Sequence, residues 1–447
     1  MEKAAADKRL EIYIENFTKL LRKDTTTIPP KATNTERFYE FQAMLPEVFP
    51  HIMPLVEHED FDGSMLLKWK GRESGKKPAL FMHHHDLVPV NPEQWSHPPF
   101  GAEIEDGKIY ARGSLDTKCG LWGMLQAADD LAAEGFVPDR DIYFVSTRNE
   151  ESSGIGADMI SKTLHDRGIE LDMTFDEGGF ILYDPLGIAD GTFAMVAVGE
   201  KIPLGVKFTA KSPGGHASMP KRNSPLARLG KMMAYMDDHD PFPPVISDTI
   251  AEMLRRFGPY MRKFGFVAKN PRLFGPLIKK ILPAASPLAG ALLKTTSVFT
   301  MATVPSQAVN VIPTEASVVS NVRVAPHQTS QECIETLRKI AKKYDVEVEC
   351  NPRNRGGHTA DYRGEAFQIL TDAVKKAYPE VDEVIPFFSN SASDSSAYSP
   401  YCKQCLGLNP FLITKKQMGT IHSIDENIDI STLVQGVDCF RYVMEAL

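Results

Sequence analysis

Residues 81–90 read FMHHHDLVPV, an apolar run that ends with His84 and Asp86 two positions apart. The apolar run predicts a buried strand. Because side chains two positions apart lie on the same face of a strand, His84 could bind a metal ion and donate its second ring N–H to Asp86. His83 and His85 fall on the opposite face, and we expect them to be structural. The pair alone does not establish a metal site, so the rest of the sequence has to supply further ligands.

The composition is that of a soluble globular protein with more than one domain. The 447 residues are 43% apolar and 24% charged, and the length exceeds one typical core. The formal net charge is −8, from 50 basic and 58 acidic residues. This balance argues against a general nucleic-acid-binding protein, because such proteins carry a basic excess. We therefore expect a small-molecule partner.

The sequence predicts a cytoplasmic protein. The start, MEKAAADKRLEIYIENF, lacks the basic region and apolar core of a signal peptide, and no apolar run of about 18 residues follows. Six cysteines are scattered without a disulfide framework, which fits a reducing compartment. Cys402 and Cys405 form a single CxxC, and two free thiols are a better interpretation of it than a zinc site.

Strands and helices alternate along the first part of the chain, and acidic residues follow the strands. KIYARGSLDTKCG leads from a strand into a helix and carries Asp116, DIYFVST is followed by Glu150 and Glu151, and LDMTF is followed by Asp176. This alternation predicts an α/β fold with a mostly parallel sheet, which binds ligands at the carboxyl ends of its strands. We expect His84 to lie at the same edge as these carboxylates.

The character of the sequence changes near residue 195. FAMVAVGEKIPLGVKFTAKS predicts two antiparallel strands, and helix and strand signals continue to NVRV, which ends at Val324. The alternation of helices and strands resumes from Gln328, with the helix CIETLRKIAKKY and the strand VEVEC. We therefore predict a catalytic domain in two parts, residues 1–194 and 328–447, and an inserted domain, residues 195–327.

The polar residues together match the needs of a two-metal hydrolase. Such an enzyme needs a carboxylate that bridges two cations roughly 3.5–4 Å apart, further ligands on each cation, and a separate base. Zinc accepts imidazole nitrogen and carboxylate oxygen, so the sequence offers a ligand set without thiolates: His84, Asp116, Glu151, Asp176 and His422. Glu150 is then left to move protons. For Asn149 to Glu151 alone, the alternative is an acidic surface loop.

Six motifs occur in the order and approximate spacing of a known enzyme family: HHHDLVP, ARGSLDTK, STRNEESSGIGA, DEGG, SPGGHASMP and HSIDEN. On these motifs the sequence resembles, over nearly its whole length, the dizinc aminoacylase and carboxypeptidase family, which includes glutamate carboxypeptidase, succinyl-diaminopimelate desuccinylase and carnosinase. WSHPPF and FTMATVPSQAVNVIPTEASVVSNVRVAP resemble most its carboxypeptidase S and N-acyl-amino-acid hydrolase branch. The resemblance implies a zinc-peptidase-like catalytic domain and an inserted α+β lid and dimerisation domain.

The resemblance also implies a role for each polar residue. It assigns the ligands of two Zn²⁺ ions, for which Co or Mn are possible substitutes: Asp116 as the bridge, His84 and Asp176 on one ion, and Glu151 and His422 on the other. It makes Glu150 the general base and Asp86 the residue that orients His84. It further implies that the Asp116–Thr117 peptide is cis.

The resemblance also implies that the protein forms a homodimer through the lid. His216 of one subunit is expected to stabilise the oxyanion of the substrate in the partner subunit, and Asn310 and Arg323 are expected to hold polar groups of the substrate. A hydrogen-bond donor aimed at the negative charge that develops on the oxyanion stabilises the transition state by about 2.7–4 kcal/mol. From sequence alone, a loop histidine is the alternative for His216.

Three positions depart from the family pattern: Asn149 replaces Asp, Ala111 replaces Gly, and Ser396 replaces Arg. The family arginine commonly binds the substrate carboxylate. Because Ser396 cannot form the same ion pair, the residue that binds this carboxylate is left open, and the candidates are Arg323 and Arg355. His358 is a weaker candidate for substrate contact, and a loop histidine is its better interpretation.

The expected activity is zinc-dependent hydrolysis of the amide bond in N-acyl-amino acids or dipeptide-like substrates. In this scheme a water between the two metals attacks the carbonyl, and Glu150 takes its proton and passes it to the leaving nitrogen. Two alternatives are a catalytically silent binding or scaffold protein and the hydrolysis of an ester or carbamoyl bond. The first is disfavoured because every expected ligand and the base are present.

Residues 251–300 carry nine Lys/Arg residues and one acid, Glu252, in a chain that is acidic overall. Large apolar residues recur at helical spacing, and Pro259, Pro283 and Pro287 are expected to break any long helix. One interpretation is that short helices pad the lid and the dimer contact. The other is an apolar channel with a basic rim over the zinc ions, which would favour long acyl chains, with basic residues that draw the protein to anionic membranes.

Overall fold

The computed structural model describes residues 2–27, 35–73, 75–285, 287–305, 308–350 and 359–447. Within these ranges the α-helices are α1 (Glu2–Leu21), α2 (Glu36–Val48), α3 (Lys118–Ala133), α4 (Ile155–Asp166), α5 (Pro225–Asp238), α6 (Asp248–Phe257), α7 (Gly265–Lys269), α8 (Gly275–Ala285), α9 (Pro287–Leu292), α10 (Ser330–Lys342), α11 (Glu365–Ala377), α12 (Ser395–Tyr398), α13 (Lys415–Met418) and α14 (Leu433–Ala446).

The strands in the same ranges are β1 (Val56–Phe61), β2 (Ser64–Trp69), β3 (Ala79–Met82), β4 (Glu103–Glu105), β5 (Lys108–Tyr110), β6 (Ile142–Ser146), β7 (Met173–Asp176), β8 (Ile181–Tyr183), β9 (Thr192–Glu200), β10 (Ile202–Lys211), β11 (Gly215–His216), β12 (Thr296–Thr303), β13 (Val311–Ile312), β14 (Glu315–Val324), β15 (Glu347–Glu349), β16 (Glu383–Ser389), β17 (Cys405–Gly407), β18 (Leu412–Ile413) and β19 (Asn427–Asp429).

The largest sheet has a parallel centre. Its strands run in the order β1-β2-β6-β3-β7-β17-β9-β8-β18, and β16 joins by pairing with β9. β3 pairs in parallel with β6 and β7, and β17 pairs in parallel with β7. The outer pairs β1–β2 and β2–β6 are antiparallel. The predicted α/β class with a mostly parallel central sheet is confirmed.

Helices cover both faces of this sheet. Successive side chains of a strand alternate between the faces, so Phe81 enters the larger core while Leu80 enters the smaller one. Helices α1, α3, α11 and α14 bury their apolar faces in the larger core, and α4 and α12 do so in the smaller. The catalytic domain thus has three layers, with the sheet between two layers of helices. The ends of the strands remain uncovered, and polar residues can meet there.

A second sheet has the order β12-β14-β10-β15, and its neighbouring pairs are antiparallel. One face of this sheet packs against α5 and α10 in a separate apolar core. β11 and β13 form a two-stranded ribbon, in which β11 follows β10 along the chain and β13 precedes β14. This inserted α+β unit is called the lid below.

The lid boundaries differ from the predicted residues 195 and 327. β9 pairs with β8, β16 and β17 in the large sheet, so the chain leaves the catalytic domain after Glu200. β10 pairs with β14 and β15 and does not form the predicted hairpin with β9. Because α10 and β15 pack in the lid, this domain extends to Glu349. An alternating apolar pattern predicts a strand but not the sheet that it joins.

Helices α6 to α9 pack in the core of the catalytic domain and not in the lid core, so they do not pad the lid. The dimer contact expected for residues 251–300 remains a prediction. The rings of Phe257 and Phe193 lie 4.9 Å apart, and Arg256 donates a hydrogen bond of 2.7 Å to the carbonyl of Val384. Both contacts are at the starts of β9 and β16, whereas the ends of these strands meet the lid. Pro283 lies inside α8 and does not end it.

The six cysteines are unpaired, as the sequence predicts for Cys402 and Cys405. The Cys405 thiol donates a hydrogen bond to the Cys402 carbonyl at 3.3 Å. Among the described helices, none combines the length and the apolar character needed to cross a membrane.

Candidate active site

His84 follows the end of β3, and its imidazole is buried. Its Nδ1 donates a hydrogen bond to the main-chain carbonyl of Asp86 at 3.0 Å, which leaves Nε2 facing Asp116 Oδ1 at 3.1 Å. The Asp86 carboxylate lies 3.4 Å from Nδ1 and accepts a hydrogen bond of 3.0 Å from the main-chain N–H of Glu150. The predicted contact between Asp86 and His84 is therefore present, but the carbonyl makes its shortest hydrogen bond and the carboxylate also holds the loop that carries Glu150.

His83 and His85 belong to the core, in agreement with the sequence analysis. His85 stacks on Phe41 with ring centroids 5.1 Å apart, and its Nδ1 lies 2.7 Å from Ser146 Oγ. Burial lowers the pKa of His83 to about 3, so its imidazole is neutral. Neither ring faces the metal-ligand residues.

Asp116 lies between two imidazoles. Its Oδ1 is 3.1 Å from His84 Nε2, and its Oδ2 is 3.0 Å from His422 Nε2. Burial alone would raise the pKa of Asp116, but the hydrogen bonds with His422 and His84 lower it below the ordinary range. One oxygen towards each imidazole is the arrangement that a bridging carboxylate needs. The Asp116–Thr117 peptide is cis, which confirms that prediction.

A buried ion pair that the sequence analysis did not identify positions Asp116. The Glu426 carboxylate accepts hydrogen bonds from the main-chain N–H groups of Leu115 at 2.7 Å and Asp116 at 3.1 Å, and it pairs with Arg112. Arg112 and Glu426 are both buried. They belong to the motifs ARGSLDTK and HSIDEN, but the sequence does not show that these distant motifs pair.

Glu151 and His422 complete one group of ligand atoms with Asp116. His422 Nε2 lies 2.9 Å from Glu151 Oε1, and one ligand atom from each of the three residues fits within a 4.8 Å span. Hydrogen bonds with Asp116 and Glu151 raise the pKa of His422 to about 10. The two carboxylates thus favour a positive charge at this position.

The remaining carboxylate of the cluster is Glu177, and the structure does not bring Asp176, the predicted ligand, into these groups of described residues. Glu177 Oε1 lies 3.6 Å from His84 Nε2, and His84, Asp116 and Glu177 form a second group within 4.8 Å. Asp176 instead accepts hydrogen bonds from Ser393 Oγ at 2.9 Å and from the Ser395 main-chain N–H at 2.7 Å. Adjacent residues at a strand end face opposite sides, and the sequence does not show which side faces the site.

We expect Glu177→Ala to lower the metal content of the protein, whereas Asp176→Asn should retain it. Asp176→Asn removes a buried hydrogen-bond acceptor and should cost about 1–3 kcal/mol of stability. Elemental analysis gives the metal content, and thermal unfolding gives the stability. Loss of an ion from the Asp176 variant together with full metal content in the Glu177 variant would contradict the assignment.

Glu150 lies beside the cluster and is largely buried. Its Oε2 is 4.0 Å from His84 Nε2, and one ligand atom from each of His84, Glu150 and Glu151 lies within a 4.8 Å span. Burial raises the pKa of Glu150 well above its ordinary value, and repulsion from Glu177 raises it further. A carboxyl group with a raised pKa is suited to accept a proton and return it near neutral pH.

The donor set fits two divalent cations. Four carboxylates surround two imidazoles, and no thiol belongs to these groups of described residues. Burial raises the pKa of Glu151 and Glu177, and repulsion from Asp116 raises both further. Divalent cations would relieve this repulsion, and carboxylate oxygen with imidazole nitrogen suits metals such as zinc.

A cleft of about 460 Å³ opens beside the cluster and is lined by both domains. Phe180 and Ile421 provide apolar wall, while Ser389 and Ser391 provide polar wall. Arg323 reaches the cleft from β14 of the lid, and its Nε donates a hydrogen bond of 3.2 Å to Asn321 Oδ1. The structure therefore brings one predicted substrate-binding residue, Arg323, to the site.

His216 and Asn310 lie together in the lid and do not line this cleft. The main-chain N–H of Ala217 donates a hydrogen bond of 3.0 Å to the carbonyl of Asn310, and both predicted residues are exposed. His216 Nδ1 accepts a hydrogen bond of 3.1 Å from the Ser218 N–H. This contact places the ring proton on Nε2, which is then a hydrogen-bond donor.

Ser396 does not face the cleft either. It is buried, and its hydroxyl donates a hydrogen bond of 2.8 Å to the Ser393 carbonyl. Arg355 and His358 lie outside the described residues. Among the described residues that line the cleft, Arg323 is the one arginine available to a substrate carboxylate.

Comparisons with known proteins agree with the fold and the cluster. Residues 80–446 match the peptidase family M20/M25/M40. Human N-fatty-acyl-amino acid synthase/hydrolase PM20D1 is 30% identical over 418 residues, which are 91% of this chain and 82% of that protein. The M20 family metallo-carboxypeptidase Sso-CP2 of Sulfolobus solfataricus has a TM-score of 0.71 at 18% identity, covering 97% of this chain and 98% of that one. Bacillus subtilis YXEP, a dinuclear metal binding peptidase of the M20 family, has a TM-score of 0.61 at 13% identity, with 98% of both chains covered.

Proposed function

Because the chain belongs to the peptidase family M20/M25/M40 and is a hydrolase, we propose that it is a dizinc enzyme that hydrolyses the amide bond of N-acyl-amino acids or dipeptide-like substrates. The observation that carries this proposal is the position of Asp116, which has one carboxylate oxygen towards His84 and the other towards His422. Glu150 lies beside this arrangement as a buried carboxyl group. Together these residues supply a bridging ligand and a base.

We propose that His84, Asp116 and Glu177 hold one zinc ion and that Asp116, Glu151 and His422 hold the other. Bound at these positions, two divalent cations acidify a water molecule and polarise the scissile carbonyl. Nitrogen and oxygen donors support zinc, and cobalt or manganese are substitutes with the same donors.

Glu150 moves the protons of the reaction. Its carboxylate takes a proton from the attacking water and, as the protonated acid, gives that proton to the leaving nitrogen. The Asp86 carboxylate fixes the main chain of Glu150, so the base keeps its position next to His84. The raised pKa of Glu150 favours the return of the proton.

Three observations support the substrate class. The human relative is named for N-fatty-acyl-amino acids. Arg323 lines the cleft, where its guanidinium can pair with the carboxylate of an amino-acid product. Phe180 and Ile421 supply an apolar surface for an acyl group or an apolar side chain.

A substrate panel tests the proposal. Zinc-loaded protein is incubated with N-acyl-phenylalanines of increasing acyl length, with dipeptides, and with matched esters and carbamoyl compounds, and mass spectrometry identifies the products. We expect amide cleavage that depends on added metal. Cleavage of the esters or carbamoyl compounds alone would replace the proposed reaction, and no cleavage at full metal content would favour a silent binding protein.

We further propose a homodimer that forms through the lid. β12 is an outer strand of the lid sheet, and it exposes Val298 at 60% and Met301 at 63% of their surfaces. An exposed apolar edge strand is a surface on which a second copy can pair. Because His216 does not line the cleft of its own chain, a partner lid is the route by which its Nε2–H would reach a substrate oxyanion.

Mixing two inactive dimers should restore activity if His216 acts in the partner's site. A Glu150→Ala chain and a His216→Ala chain each lack one group, but a heterodimer regains one complete site. Turnover is measured after subunit exchange has been demonstrated with differently tagged chains. A mixture of Glu150→Ala with Glu150→Gln chains is the matched control, and equal inactivity of both mixtures would contradict a role in trans.

The cytoplasmic location is also a proposal. It is supported by six cysteines that are unpaired in the structure, because thiols persist in a reducing compartment. Fractionation of the source cells with compartment markers tests it, and recovery only in a secreted fraction would contradict it.

A further inference from the structure

Large apolar side chains are exposed on α7 and α8, on the residue before α7 and on the chain between the two helices. Their exposed fractions are 56% for Phe264, 69% for Phe266, 74% for Leu273 and 42% for Leu277. These four residues are called the apolar patch below. Single exposed apolar residues are common, but a group of them marks a surface that contacts another protein, a ligand or a membrane.

The apolar patch continues into a pocket of about 270 Å³. Phe264 lines this pocket with Val267, Ile281 and Leu282, and the rim carries Lys263. On the outer side, the rings of Phe266 and Phe274 meet edge to face at 5.5 Å. The apolar surface is therefore continuous from the exposed aromatic side chains to the space behind them.

The same segment carries four lysines, of which Lys263 lines the pocket: Lys263, Lys269, Lys279 and Lys280. In the part of the chain that the structure describes, none of the four forms an ion pair. Other basic residues of the segment are neutralised, since Arg262 pairs with Asp184 and Asp190, and Arg272 pairs with Asp248. The chain has a net charge of −8, so this local positive charge runs against its overall balance.

The apolar patch is separate from the active-site cleft. Its pocket includes Ile188, just before the start of β9, whereas the cleft includes Glu200 at the end of β9. A strand of this length spans roughly 25 Å at about 3.3 Å per residue. The pocket and the cleft therefore lie at opposite ends of β9, and an acyl chain in one does not reach the other directly.

We propose that the apolar patch docks the protein on the surface of an anionic lipid bilayer. Phe264, Phe266 and Leu273 enter the boundary between head groups and acyl chains, and the four lysines contact the anionic head groups. An interfacial site of this type needs both signals, because apolar insertion alone or charge alone gives only weak binding. The exposed aromatic side chains and the unneutralised lysines meet that requirement in one place.

Vesicle co-sedimentation tests this proposal with the full chain. The vesicles contain phosphatidylcholine alone or phosphatidylcholine mixed with phosphatidylglycerol. We expect binding to the mixed vesicles only, weakened by salt. A triple variant with Phe264→Ser, Phe266→Ser and Leu273→Ser should bind roughly tenfold or more weakly. Each large apolar side chain that is partly buried in the bilayer contributes to the free energy of binding. Lys279→Gln with Lys280→Gln should weaken binding roughly 25-fold, at about fivefold for each basic residue.

Matched controls alter exposed residues away from the apolar patch. Leu55→Ser with Ile104→Ser removes exposed apolar side chains, and Lys339→Gln with Lys342→Gln removes exposed charges on α10. Both controls should bind like the parent, and thermal unfolding should show that all variants are folded. No binding of the parent, equal binding to neutral vesicles, or full binding by the patch variant would overturn the proposal. Loss of self-association by the patch variant without loss of vesicle binding would instead identify a second copy as the occupant.

Discussion

Glu150→Gln should lower kcat by ~10²–10⁴-fold while both metal ions and the fold remain. The substitution keeps the size of the side chain and removes its ability to take a proton. Glu150 is placed by the hydrogen bond from its main-chain N–H to Asp86, which does not involve the altered group. The expected result is thus a fall in kcat with little change in KM, measured on the best amide of the substrate panel.

Glu103→Gln is the matched control for this experiment, since Glu103 is an exposed glutamate on β4. It should leave turnover unchanged. Elemental analysis of both variants separates a missing base from a missing ligand. If Glu150→Gln loses a metal ion in proportion to its activity, Glu150 is a ligand and the base has to be sought elsewhere.

Asp116→Ala should remove both metal ions and reduce hydrolysis to the level of chelator-treated protein. Asp116 is the one residue shared by the two groups of ligand atoms that contain His84 with Glu177 and Glu151 with His422. Its removal leaves each group with one imidazole and one carboxylate, which is too few donors for a stable site. Metal content by elemental analysis and turnover are the two measurements.

Asp166→Ala is the control, because Asp166 is exposed near the end of α4 and pairs with Lys162 on the surface. It should keep both ions and full activity. Retention of one tightly bound ion by Asp116→Ala, with the other lost, would show that Asp116 is a terminal ligand and does not bridge.

The sequence predicts the centre of the site well, because motif order places polar residues at strand ends. His84, Asp116, Glu151 and His422 meet as predicted, with Glu150 beside them. The sequence assigns Asp176 to the cluster, whereas the structure places its neighbour Glu177 there. Which of two adjacent carboxylates faces the site depends on the direction of the strand end. That direction depends on packing in the sheet, which a single sequence does not contain.

The domain limits show the same restriction. The pattern of residues 192–211 indicates two strands, but pairing with β16 holds β9 in the catalytic sheet, and pairing with β14 holds β10 in the lid. β9 is buried along most of its length and β10 is partly exposed, but neither pattern identifies the strand with which it pairs. A strand's partner is set by contacts distant along the chain, so the pattern alone could not place the boundary after Glu200.

Long-range pairing also explains the residues that the sequence analysis missed. Glu426 and Arg112 hold Asp116 from two separate motifs, and their charges alone predict exposed side chains. For residues 251–300 the sequence correctly predicts short basic helices with apolar faces. Helix α6 lies at the start of β9, where Phe257 packs on Phe193, a contact between two phenylalanines that the sequence does not single out.

Zinc titration of metal-free protein tests the central claim most directly. Chelator-stripped protein receives increasing amounts of Zn²⁺, and amide hydrolysis is followed against zinc bound per chain. The arrangement around Asp116 predicts that activity rises until about two ions are bound per chain and then stays constant. A plateau at one ion, or hydrolysis that does not depend on metal, would contradict the two-metal site.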